Sequence, residues 1–115
     1  MVEAQKTIRI INDQALLADI ARNSTNTFMR REALMKLTGT PFEGQALFAE
    51  IAKNDSDTSM RHRALNALKD QAVLSEIAKN DDEDTLIRMR AVRKLKDKTL
   101  LMDIAKNYGS EEEIP

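Results

Sequence analysis

The sequence predicts an all-α fold, an array of about eight short antiparallel helices arranged as hairpins. Three observations predict it. The phrase Ile-Ala-(Arg/Lys)-Asn occurs four times, ending at Asn23, Asn54, Asn80 and Asn107, and self-similarity at a near-constant period marks a repeat array. A second phrase follows the first three: Met29-Arg30 through Ala33-Leu34 to Leu37, Met60-Arg61 through Ala64-Leu65 to Leu68, and Ile87-Arg88 through Ala91-Val92 to Leu95. Finally, the apolar residues of both phrases recur at helical spacing, so each phrase is one stripe of an amphipathic helix.

Taken in order, Val2 to Asn12 aligns with a second-phrase helix, since setting Gln14 on Gln71 lays Ile8 on Leu65 and Ile11 on Leu68. This is a half repeat, helix B without its helix A. Helix A then carries Leu16, Leu17, Ile20 and Ala21, repeated as Leu47, Phe48, Ile51, Ala52, as Val73, Leu74, Ile77, Ala78, and as Leu100, Leu101, Ile104, Ala105. Asp13, Asp70 and Asp97 stand before helix A and can cap its free amides; Asn26, Asp57 and Asp84 do the same for helix B. The Asn that closes each first phrase suits a left-handed helix end. Successive phrases are 31, 26 and 27 residues apart. The extra five residues lie in Thr38 to Gly44, where Gly39 stops one helix. There Thr40-Pro41-Phe42-Glu43 reads as a capping box that starts the second helix A a turn early. The extra single residue lies in the acidic loop Asp81 to Asp84.

The expected organisation is one repeat domain over 1–107: half repeat 2–12, repeats 13–38, 40–69 and 70–96, and half repeat 97–107. A disordered, solvated acidic tail over 108–115 completes it. Hydrophobic residues make up 42% and charged residues 32%, with three Gly and two Pro, as suits helices and short turns. No apolar run approaches the roughly 20 residues of a membrane span, and no basic segment followed by an apolar one opens the chain. A soluble, cytoplasmic chain without membrane contact is expected. The absence of Cys excludes disulfides, thiolate metal sites and a Cys nucleophile.

The pattern Asn/Asp-x-x-x-Arg-x-x-Ala-(Leu/Val)-x-x-Leu, beginning at Asn26, Asp57 and Asp84, resembles that of the HEAT-like repeat family. The likeness is to its short bacterial and archaeal form, related to the repeats of phycobilisome lyase subunits, and it covers residues 2 to 107. The resemblance implies a right-handed α-solenoid with helix B lining the concave side. It also implies a structural ladder in which loop carboxylates and arginines interlock neighbouring units: Asp57 and Asp84 with Arg61 and Arg88. Asn26 lacks the carboxylate, which weakens the expected rung with Arg30.

The charges then sort by face. Each helix A carries an acid and, three residues later, a base: Asp19 with Arg22, Glu50 with Lys53, Glu76 with Lys79, Asp103 with Lys106. These are ordinary solvent-face pairs. Helix B differs. Its sixteen positions away from the apolar stripe hold eight Lys or Arg against one Glu, among them Arg31, Arg63, Arg90, Arg93 and Lys94, with His62 on the same surface. Solvation of a helix face accounts for such charges in many proteins. The functional expectation is a non-catalytic interaction or scaffold module whose basic concave face takes an acidic protein segment. Binding to a nucleic-acid backbone is the alternative, disfavoured by a net charge of -1 and by only three Phe and one Tyr for base stacking.

An enzyme is not expected. A single His cannot build a multi-histidine metal site, and no Gly-rich phosphate loop occurs. Neither cofactor nor metal is expected, and phycobilin lyase chemistry rests on fold analogy alone. The final helix A, with Leu100, Leu101, Met102 and Ile104, has no following helix B to cover it, which suggests weak homodimerisation through that end.

Overall fold

The computed structural model describes residues 13–39 and 44–108, the last two by backbone alone. Seven helices and no strand lie among the described residues: α1 (Gln14–Asn23), α2 (Thr27–Thr38), α3 (Gln45–Asn54), α4 (Thr58–Ala67), α5 (Gln71–Lys79), α6 (Thr85–Lys94) and α7 (Lys98–Tyr108). The half repeat over 2–12, the capping box over 40–43 and the tail from 109 onward lie outside the described residues. Tyr108, assigned above to the tail, is the last residue of α7.

Helix starts follow local chemistry. Asp13 accepts from the amides of Ala15 and Leu16, Asp70 from Ala72 and Val73, and Asp97 from Thr99 and Leu100. Each such cap satisfies amides that have no intrahelical partner, and each is worth about 1 kcal/mol.

Helix ends depart from expectation. No described residue other than Gly has a positive φ, so the Asn residues do not close helices in the left-handed region. Asn23 and Asn54 remain helical, and Ser24 and Asp55 leave in extended backbone at ψ 136° and 137°. Each exit is held by a side chain: Ser24 Oγ accepts from the Asn26 amide, Asp55 from Asp57, and Asn80 from Asp82. These local turns satisfy the chain without left-handed backbone. The described part of the second helix A starts at Gln45, in register with Gln14 and Gln71, after Gly44 at φ -95° and ψ 52°.

The chain forms two compact units, residues 1–67 and 68–115. In the first, α1 pairs with α2 and α3 with α4 as hairpins, while α1 also meets α3 and α2 meets α4. A helices thus pack on A helices and B on B. In the second unit α5 pairs with α6 and also packs on α7.

Small residues permit the close approach within hairpins: Ala21, Ala33, Ala52, Ala64 and Ala91 are fully buried. Around them lie Leu17, Leu34, Leu37, Phe48, Met60 and Leu65 in the first unit, and Leu68, Leu74, Ile87 and Ile104 in the second. Burying each of the larger chains contributes about 1.5–3 kcal/mol. Two expected core positions fail. Leu16 is 45% exposed where its equivalent Leu47 is buried, and Ala105 on α7 is exposed where its equivalents Ala21, Ala52 and Ala78 are buried.

Candidate anion-binding surface

The arginine of the second phrase ties each B helix to the loop before it. Arg30 Nη1 donates to the Ser24 carbonyl at 2.8 Å, and Arg61 Nη1 to the Asp55 carbonyl at 2.8 Å. The extra residue of the acidic loop shifts the third case, where Arg88 Nε donates to the Ala78 carbonyl and Nη2 meets Asp81 at 3.3 Å. These arginines are structural.

The carboxylates of the ladder sit elsewhere than the resemblance implies. Asp57 accepts from the Ser59 amide and hydroxyl, both at 2.7 Å, and from the Met60 amide. The Ser59 hydroxyl is the main cause holding the Asp57 carboxyl below its ordinary range; desolvation opposes it, and the backbone amides of Ser59 and Met60 and then the charge of Arg31 add to the lowering. Asp84 caps α6 through Leu86 and Ile87, and Asn26 caps α2 through Met29. The carboxylate that meets Arg30 is Asp55, 25 residues along the chain. It accepts from Nε at 3.1 Å and from Nη2 at 3.2 Å, with the two side chains only 9% and 6% exposed. Far from a weakened rung, Arg30 holds a buried bidentate pair. The reason is geometric: an N-cap carboxylate is turned onto its own helix amides, which leaves the residue two before it to face the neighbouring unit.

The helix A charges also act between units of the array. Arg22 reaches Glu50 on α3 at 2.9 Å, and Lys79 reaches Asp103 on α7 at 2.9 Å. Both pairs are solvent-exposed and contribute about 0–1 kcal/mol each.

Of the basic residues singled out on helix B, Arg31, His62 and Arg63 belong to the first unit and Arg90, Arg93 and Lys94 to the second. Arg63 is exposed and lines a cleft of about 290 Å³ with Met35, Thr38 and Asn66. Arg31 and His62 are half-buried beside the stripe, and Arg31 Nε and His62 Nδ1 have no hydrogen-bond partner among the described residues. Arg93 and Lys94 line a larger recess, about 700 Å³, together with Lys69, Lys96, Gln71 and Asp97. Arg90 does not line it. Burial, and then the charges of Lys69 and Lys96, push the Lys94 ammonium below its ordinary range.

Gln71 builds the wall of that recess. Its Nε2 donates to the carbonyls of Lys69 and Lys94, and its Oε1 accepts from the amides of Lys96 at 2.7 Å and Asp97 at 3.1 Å. In the first unit Gln45 donates likewise to the Ala67 carbonyl at 3.1 Å. The recurrence of Gln at the first residue of three A helices was the sequence signal for this bond; counting charges only along helix B passed over Lys69 and Lys96, which lie in the links.

Among the described residues no three His, Asp or Glu side chains converge so as to hold a metal ion, and no helix is long and apolar enough to cross a membrane. Searches against protein-family models, curated proteins and solved structures found no match to this chain.

Proposed function

We propose that the chain is a non-catalytic, cytoplasmic interaction module that binds an acidic protein segment through the basic residues of its B helices. In this reading its HEAT-like hairpins, eight helices with the half repeat over 2–12, continue as a right-handed solenoid. The A-on-A and B-on-B packing inside the first unit, and the A-on-A packing inside the second, support that architecture. The observation that carries the binding reading is the gathering of Arg93 and Lys94 with Lys69 and Lys96 around one recess. Asp97, the acid that shares this lining, accepts from the amides of Thr99 and Leu100. Concentrated like charge raises local counter-ion concentration and speeds encounter with an acidic partner.

The test is fluorescence anisotropy of a labelled Glu/Asp-rich peptide against the wild type and the triple variant Arg63→Glu, Arg90→Glu, Arg93→Glu. Binding by the wild type that the variant abolishes is expected; equal binding by both refutes the reading. A single-stranded oligonucleotide bound more tightly than the peptide, with a steep salt dependence, transfers the surface to nucleic-acid backbones. Exposure of Met102 at 71% on α7 supports weak self-association through that end, and a clean monomer in sedimentation at high concentration refutes it.

A further inference from the structure

The helix A charges give each A-on-A contact a direction. Arg22 of α1 meets Glu50 of α3, and Lys79 of α5 meets Asp103 of α7, each at 2.9 Å. In both contacts the base comes from the earlier helix and the acid from the later one. Each helix A therefore has two unlike flanks, since residues three and four apart share a face of a helix. The forward flank carries the base with the residue four before it, as Lys79 with Ser75. The rear flank carries the acid with the residue three before it, as Glu50 with Leu47. Both are closed where another helix A lies against them: Leu47 and Ser75 are each 3% exposed.

The helices α1 and α7 leave opposite flanks open. On the rear flank of α1, Leu16 takes the place of Leu47 at 45% exposure, beside an exposed Asp19 that accepts from Asn23 Nδ2 at 2.8 Å. On the forward flank of α7, Met102 takes the place of Ser75 at 71% exposure, beside an exposed Lys106. A single exposed apolar side chain is ordinary on a protein surface. Two of them, each at a position that its equivalent buries and each beside a charge opposite in sign to the other's, make complementary faces.

We infer that a second copy of this chain closes these flanks head to tail, with α7 of one copy setting Met102 and Lys106 against Leu16 and Asp19 on α1 of the next. The contact repeats the A-on-A packing inside each unit, with Lys106 to Asp19 in the place of Lys79 to Asp103. It is heterologous, because each copy contributes a different patch. A contact of α7 on α7 is less favourable: it sets two forward flanks together, each with its base and neither with its acid. Burial of Leu16 and Met102 supplies the attraction, and the exposed ion pair sets register and orientation more than strength. The inference rests on the self-association reading of α7 and names its partner face; it is independent of the basic residues of the B helices.

The test is sedimentation velocity of the full chain at rising concentration, with Leu16→Lys and Met102→Lys as variants that each block one flank. Both positions are exposed, so unchanged circular dichroism is expected. An ammonium set into the apolar contact loses its hydration, and each variant alone is expected to associate at least about tenfold more weakly than the wild type. Mixed in equal amounts, the two are expected to form an equimolar heterodimer and nothing larger, since the mixture keeps one working α7 flank and one working α1 flank. Asp19→Lys is expected to weaken association, and Lys106→Glu added in the same chain to restore it. Leu16→Lys that associates as the wild type does overturns the head-to-tail contact and leaves self-association through α7 standing. A mixture in which no heterodimer forms overturns it too, as does a double variant that associates no better than Asp19→Lys alone. A clean monomer at every concentration, the result expected when each flank is covered within its own copy, overturns both readings.

Discussion

Removing Arg30 or Asp55 tests the packing argument most directly. Their side chains are 9% and 6% exposed, and the guanidinium also donates to the Ser24 carbonyl at 2.8 Å and to Thr27 Oγ1 at 3.3 Å. The carboxylate in turn accepts from the Asp57 amide at 2.9 Å. Arg30→Ala therefore strands a buried carboxylate, and Asp55→Ala strands a buried guanidinium. Leaving one partner of a buried pair uncompensated costs about 3–5 kcal/mol, a large share of the 5–15 kcal/mol by which domains are stable. Arg22→Ala, which breaks an exposed pair with Glu50, provides the contrast at about 0–1 kcal/mol. The assay is urea denaturation followed by far-ultraviolet circular dichroism on both singles, the double and the contrast variant. The double is expected to cost less than the sum of the singles by at least about 1 kcal/mol, the signature of direct coupling. Single losses no larger than that of Arg22→Ala, or strict additivity, refute the claim that this pair locks α2 to the loop after α3.

Three further outcomes follow from the same geometry. Gln71→Ala leaves the Lys94 carbonyl and the Lys96 and Asp97 amides without their partner, and a loss of about 1–3 kcal/mol is expected, with faster hydrogen exchange at Lys96 and Asp97. Ser75 is 3% exposed and its hydroxyl has no hydrogen-bond partner among the described residues, so Ser75→Ala is expected to raise Tm, since an unsatisfied buried hydroxyl costs about 1–3 kcal/mol; a lower Tm refutes it. Asp57→Asn keeps a capping side chain but loses the charge. The Asp57 carboxyl is held below its ordinary range, so its contribution is fully present above that range and is lost as pH falls through the depressed folded value. Wild type is expected to exceed Asp57→Asn by less than about 1 kcal/mol near neutral pH, and the difference is expected to vanish in acid; urea midpoints at both pH values check this.

Most of the helical plan was legible in local sequence. Apolar residues spaced along Leu47, Phe48, Ile51 and Ala52, preceded elsewhere by Asp13, Asp70 and Asp97, specify short amphipathic helices with capped starts, because both signals act within one turn. Local rules fell short at the helix ends. The closing Asn residues tolerate left-handed backbone, yet the turns made by Ser24, Asp55 and Asn80 satisfy the exits in extended backbone.

The sequence by itself determined the all-helical class, the register of the repeats and the caps, since each depends on residues a few positions apart. Only the tertiary structure decided which charges meet. Asp55 and not Asp57 faces Arg30, Glu50 faces Arg22, and Lys69 and Lys96 join Arg93 and Lys94 around one recess. Asp55 and Arg30, Glu50 and Arg22, and Lys69 and the other three cations lie about one repeat apart along the chain. Their meeting depends on how helices stack and how the links between them turn, and side-chain spacing within a single helix carries no record of either.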